Sequence, residues 1–177
     1  MANFQDRIIR AAKLDVHLYE EVEADKKAMS QAMWVVILSS IAAGVGSIAS
    51  GGLSGLFIGT IFSLLGWYIW AYLTYIIGVK LLPEPQTKAN HSELLRTIGF
   101  SSSPGMIRVV GIIPGLTEVV FLVAAIWMLV AMVIAVRQAL DYKSTLRAVG
   151  VCAIGWIIQA AILMLVFSLF GGAAQPV

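Results

Sequence analysis

Two charged side chains interrupt long apolar runs. Arg108 falls within the stretch from Pro104 to Ile113, and Glu118 near the start of the stretch from Leu116 to Val136. Each lies five residues from Ile113, on either side of Pro114-Gly115, a dipeptide that breaks a helix. Folded back as a hairpin, the two segments would bring guanidinium and carboxylate to similar depth. An arginine at the middle of a helix in hydrocarbon costs about 2.5–3.5 kcal/mol on insertion scales, a cost that a carboxylate partner largely removes. The plain outcome is a salt bridge that pins the hairpin, or two charges near the outer interface. The functional outcome is an ion or proton path, or a polar headgroup site.

Other candidates are weaker. Gln159 lies deep in the last apolar run, where a hydrogen bond between helices is the simplest use for it. Gly51, Gly55, Gly59 and Ser63 recur every four residues, as do Ala131, Ala135 and Ala139. Small residues at that spacing let helix backbones approach closely, which matters where lipid removes the hydrophobic drive between helices. Such ridges serve packing within the monomer or homo-oligomerisation. His17 and His91 both fall outside the apolar runs, and no cluster of Asp, Glu, His and Cys has metal-ligand spacing, so neither metal nor other cofactor is expected. Ser101-Ser102-Ser103 has no neighbouring His or Lys to act as base. Cys152 is the single cysteine, which excludes a disulfide within the chain. No phosphate-loop, dinucleotide or protease motif is present, and an enzyme is not expected.

These residues must be positioned by elements made for lipid. Of 177 residues, 59% are hydrophobic and 12% charged, with a mean hydropathy of +0.89; ordinary soluble domains have about 45–50% apolar and about 25% charged residues. A soluble domain and a disordered chain are both excluded. A net charge of +2 without a basic run leaves no footprint for nucleic acid. The lipid bilayer is the expected partner, and at about 20 residues per crossing the length allows four to six spans.

Residues 1–30 hold five basic and six acidic side chains and read as a cytosolic amphipathic helical arm. On a helical projection Phe4, Ile8, Ala11, Ala12, Leu18, Tyr19 and Val22 share one face, with Asp6, Arg7, Arg10, Lys13, His17 and Glu21 opposite. Asp15 interrupts the apolar side and is expected to cap a second helix from Val16. The arm would lie on the membrane surface with Arg7, Arg10 and Lys13 toward lipid phosphates, or pack on the protein's own loops. Residues 31–170 form one membrane-embedded domain, and 171–177 a short uncharged tail. Met33–Ala49, Leu56–Val79, 98–113, Leu116–Val136 and about Ala148–Phe170 are the apolar segments. Ser92–Gly99 reads as a short helix with Glu93 and Arg96 on its wet side. Trp67, Tyr68, Trp70, Tyr72 and Tyr75 read as a headgroup belt.

Eleven of the 12 Lys and Arg residues lie in the arm, in the 80–96 loop, or between Arg137 and Arg147, while the opposite connections hold none. By the positive-inside bias the N-terminus is cytoplasmic and the C-terminus outside. The expected fold is therefore an all-α integral membrane helical bundle of five transmembrane helices. The third, residues 98–113, is short: 16 residues of α-helix reach about 24 Å against about 30 Å of hydrocarbon. It sits shallow, is shielded by neighbours, or is half of a re-entrant pair.

Several local sequences resemble one known family. They are Leu18-Tyr19-Glu20-Glu21 in the arm, Arg96-Thr97-Ile98-Gly99-Phe100 leading to Ser103-Pro104-Gly105, then Ile113-Pro114-Gly115, Ile126-Trp127, and Ala135 to Leu140 followed by Ser144-Thr145-Arg147-Ala148. Over about residues 5 to 165 the chain resembles the bacterial branch of the Ypt-interacting-protein (YIP) domain family. The resemblance implies five helical spans with a cytosolic N-terminus, here in a bacterial cytoplasmic membrane. In eukaryotes the family is associated with vesicle traffic and with binding prenylated small GTPases, often as oligomers. The family's aspartate-leucine-tyrosine-glycine-proline signature is missing and Phe100 stands where tyrosine is usual, which weighs against GTPase binding. The expected function is a non-enzymatic membrane scaffold or adaptor, a homo-oligomer or subunit of a membrane complex. The alternatives are a permeation protein using Arg108 and Glu118 and an accessory subunit.

Overall fold

A computed structural model describes the backbone of residues 3–170. The side chains at 49–51, 53–55, 163, 166–167 and 169–170, and the whole of the tail 171–177, lie outside the described residues. Among the described residues every regular element is helical: α1 Phe4–Ala12, α2 Val16–Ala24, α3 Ala28–Gly46, α4 Ile48–Tyr75 with a π-helical extension Ile76–Leu81, α5 His91–Phe100, a 3₁₀ segment Ser103–Ile112, α6 Thr117–Ala139 and α7 Thr145–Phe170. Four stretches are long and apolar enough to cross a membrane: Ala28–Gly46, Leu56–Leu81, Thr117–Ala139 and Thr145–Ile162.

Local rules explain the ends of several elements. Asp15 caps α2 as expected, its carboxylate accepting from the His17 amide at 3.0 Å. Asn90 and Glu93 form a reciprocal capping box at the start of α5. Between α3 and α4 the expected glycine link is mostly helical; the bend is confined to Gly52, whose φ of 59° suits a residue without a Cβ. Pro114 and Gly115 (φ 83°) form a tight turn closed by the Leu116 amide on the Ile113 carbonyl at 3.1 Å.

The segment from 98 to 113 differs from a short α-helix. Ser102-Ser103-Pro104 starts a 3₁₀ winding, which rises about 2.0 Å per residue and so covers about 20 Å in its ten residues, where an α-helix would cover about 15 Å. It runs alongside α3 in the same direction: a Cβ on Gly99 would strike Ala32, one on Gly105 would strike Ser39, and one on Gly46 would strike the Arg108 carbonyl. Those three glycines permit the backbone approach that the two elements need.

The arm is part of the bundle. Ala11, Leu18, Tyr19 and Val22 are fully buried with Ala28, Ala32, Val35, Phe100 and Ala135 in one apolar cluster. Arg7 and Arg10, expected to face lipid phosphates, are turned inward. Arg7 is 6% exposed and donates to Glu21, Asp25 and Gln31, and Arg10 donates to Asp15 and Glu21. Carboxylates 5 to 18 residues away are what withdraw them. Lys13 is exposed. Arg96, expected on the wet side of its helix, is buried and donates to the Val22 carbonyl at 2.8 Å and to the Glu23 carbonyl. It satisfies the last carbonyls of α2, which have no partner within their own helix.

Candidate functional site

A cavity of about 310 Å³ lies among α3, α4, the start of the 3₁₀ segment, α6 and α7. Its polar lining comes from separate elements: Ser39 and Ser40 from α3, Ser63 from α4, Ser102 just before the 3₁₀ segment and Arg108 within it, and Gln159 from α7. Trp67, Trp70, Met128 and Met132 complete the wall. The two tryptophans, expected in a headgroup belt, turn toward the protein interior. Trp70 is 7% exposed, and the Trp67 indole donates to the Leu95 carbonyl at 2.9 Å.

Arg108 sets the chemistry of the cavity. Its Nε donates to the Gly105 carbonyl at 2.9 Å, three residues back, which the 3₁₀ winding brings within reach. Its Nη2 donates to the Ser39 carbonyl at 3.0 Å and the Ser39 hydroxyl at 2.7 Å. The Phe121 ring centroid lies 6.0 Å from the guanidinium carbon. Among the described residues no carboxylate lies within ion-pair distance, and Nη1 has no acceptor.

The expected hairpin pair is therefore not formed. Glu118 is exposed in the first turn of α6 and makes no ion pair among the described residues. The physical reason is that Arg108 reaches back to Gly105 and across to Ser39, away from the Pro114-Gly115 turn. Serines 39 and 40 were not singled out in the sequence, because a serine in an apolar helix commonly bonds its own backbone, as Ser40 does to the Val36 carbonyl at 2.8 Å. Gln159 lines the cavity and has no hydrogen-bond partner among the described residues, where a bond between helices was expected. The Trp70 indole N–H is buried and likewise unpartnered.

The two small-residue ridges part company. Ala131, Ala135 and Ala139 are fully buried within the chain. Gly59 is exposed with open space around it, and Ser63 stands on the cavity rim. Gly51 and Gly55 belong to α4, but what surrounds them lies outside the described residues. No group of three His, Cys, Asp or Glu residues is placed to hold a metal among the described residues.

A second hollow, of about 930 Å³, lies between the arm and the loops. Glu20 and Glu23 of α2, Glu93 of α5, and Arg137, Asp141 and Lys143 at the end of α6 line it. Burial, and then the charges of Asp141 and Glu93, push the Glu23 carboxyl up to about 7. Gln138 ties the two sides together by donating to Glu20 at 2.9 Å.

An all-helical bundle with four membrane-length apolar helices and an arginine-lined cavity between them defines an integral membrane protein. A family model described as the Yip1 domain matches residues 17–167, and the chain belongs to that family. Comparison with curated proteins and with solved structures gave no match.

Proposed function

We propose that the protein is a non-enzymatic membrane adaptor that spans the bilayer five times, with its N-terminus cytoplasmic and its C-terminus outside. The hollow between arm and loops carries this reading. It gathers four carboxylates (Glu20, Glu23, Glu93, Asp141) against two cations (Arg137, Lys143) from separate stretches of the chain. A surface of that composition suits a basic segment of a partner protein. The parallel run of 98–113 beside α3 supports a fifth crossing, as does the absence of Lys and Arg from the Pro114-Gly115 connection. Open space at Gly59 supports assembly through that face of α4. The permeation reading depended on Arg108 meeting Glu118 and has lost its support.

A photo-crosslinking residue at Gln138, in cells, tests the adaptor role. A discrete product that disappears in the Glu23→Lys, Asp141→Lys double variant is expected. A product unchanged by that charge reversal, or none at all, counts against it. Single cysteines at Lys88 and Gly115 in a Cys152→Ser background test the topology: a membrane-impermeant thiol reagent added outside should label only the second. Gly59→Leu should abolish cross-linked multimers.

A further inference from the structure

The cavity around Arg108 has two properties that its structural neighbours do not use up. The first is open hydrogen-bonding capacity. A guanidinium offers five N–H donors; Arg108 commits Nε and Nη2 to neutral oxygens of Gly105 and Ser39, leaving Nη1 without an acceptor among the described residues. The Gln159 amide, which lines the same hollow, has no hydrogen-bond partner among the described residues. The second property is uncompensated charge, since among the described residues no carboxylate stands within ion-pair distance. A cation and a neutral amide on one hollow of about 310 Å³ define a receptor for an oxyanion.

The mouth identifies where that oxyanion comes from. The α4 and α7 helices meet where the Trp70 ring lies against Gly155, so close that a Cβ there would touch it at 3.2 Å. Ser63, seven residues before Trp70, and Gln159, four residues after Gly155, lie to one side of that contact and line the cavity. The surface around them is apolar and exposed: Phe62, Trp156 and Ile157 are 69%, 56% and 69% exposed. The mouth thus opens between α4 and α7 onto the face that lipid tails cover, and Ser39 lies seven residues, about 10 Å, from the Gly46 end of α3. A ligand entering there needs an anionic head for the cavity and an apolar tail for the face outside it.

We propose that this cavity binds the phosphate headgroup of an anionic membrane lipid, with Arg108 supplying the charge, Gln159 the neutral donor, and Ser39 positioning the guanidinium. The proposal rests on the protein's membrane location and not on its adaptor role, so either can fail alone.

The test is native mass spectrometry of the full chain in neutral detergent, with phosphatidylglycerol, phosphatidylcholine or inorganic phosphate added separately. The wild type should retain phosphatidylglycerol about tenfold more tightly than phosphatidylcholine, a preference that a single charge-assisted contact can supply. Arg108→Gln should erase the preference without weakening phosphatidylcholine retention, and Gln159→Leu, which leaves the arginine in place, should reduce it several-fold. Equal retention of both lipids by the wild type, or a preference that survives Arg108→Gln, overturns the proposal. Inorganic phosphate raising the melting temperature as far as the anionic lipid does would overturn the lipid as its source. Should Arg108→Gln fail to fold, the Gln159→Leu and Ser39→Ala variants carry the same decision: an undiminished preference in both overturns the site.

Discussion

Arg7 and Arg108 are both drawn away from solvent, and the chain resolves their charges in opposite ways. Arg7 donates from Nε to Glu21 at 2.9 Å, from Nη1 to Gln31 at 2.8 Å and from Nη2 to Asp25 at 2.8 Å. Every nitrogen is used, and two of the three partners are anions. Arg108 donates only to neutral oxygens and keeps one nitrogen without an acceptor among the described residues. The arm around Arg7 is electrostatically closed, so its arginine serves the fold. The cavity around Arg108 is electrostatically open, so its arginine keeps hydrogen-bonding capacity that the fold does not use. Depth in the chain does not separate structural from functional charge; the chemistry of the acceptors does.

The largest expected effect breaks the closed side. Arg7→Met leaves Asp25 without its cation and Glu21 with Arg10 alone. Removing one partner of a fully buried pair costs about 3–5 kcal/mol, but these carboxylates are about one-third exposed, which lowers the expectation to about 2–3 kcal/mol. Thermal unfolding in neutral lipid nanodiscs and protease cleavage between α1 and α3 both report it. An unshifted melting temperature with an uncut arm would mean that the apolar cluster alone holds the arm.

The pH dependence of the arm should have two limbs. Arg10 holds Asp15, and Arg7 holds Asp25, below the usual carboxylate range; Glu21 is held down by the same two arginines against its own burial. That stability is present above the unfolded values of about 4 and is lost as the pH falls through the folded ones. Glu23 behaves oppositely. With its carboxyl pushed up to about 7, the native state holds a proton that the unfolded chain gives up near 4.5, so stability declines as the pH rises between those values. Melting temperature should peak near the lower end of that interval. Glu23→Gln should flatten the upper limb alone, and Asp25→Asn should weaken the lower one. Parallel effects from both variants would contradict the assignment.

The open side should respond weakly. In neutral lipid Arg108→Met removes an uncompensated charge at the expense of its bonds to Ser39 and Gly105, and the two effects offset within about 1 kcal/mol. A loss as large as that from Arg7→Met would show that Arg108 is structural and would remove the contrast between the regions.

What was legible in the sequence divides along the same line between local and distant partners. Asp15 could be read as a cap because its acceptor work is done two residues away, and the membrane-length helices could be read from the length of apolar runs. Arg96 could not, because the carbonyls it satisfies lie 74 and 73 residues earlier in the chain. Arg108 stands out in the sequence as a charge in an apolar run, but the nearest opposite charge in sequence is not its partner. Ser39, 69 residues away, is invisible to spacing arguments, and so are the glycines that let the 3₁₀ segment approach α3. The small-residue rule found Ala131, Ala135 and Ala139 because they recur along one helix. It missed Gly46, Gly99 and Gly105, which meet across two elements.

The smallest effect is the sharpest test of the missing pair. Glu118 is exposed in the first turn of α6, where a carboxylate gains about 0.3–1 kcal/mol from the helix N-terminus. Glu118→Gln should therefore cost less than about 1 kcal/mol, and should add to Arg108→Met without interaction. Residues that share no contact add to within about 0.3–0.5 kcal/mol, whereas members of one ion pair couple by up to about 3 kcal/mol. A double-mutant cycle in nanodiscs that returns a coupling above about 1 kcal/mol would put the two charges back together at the hairpin. A coupling near zero leaves Arg108 with Ser39, Gly105 and a donor to spare.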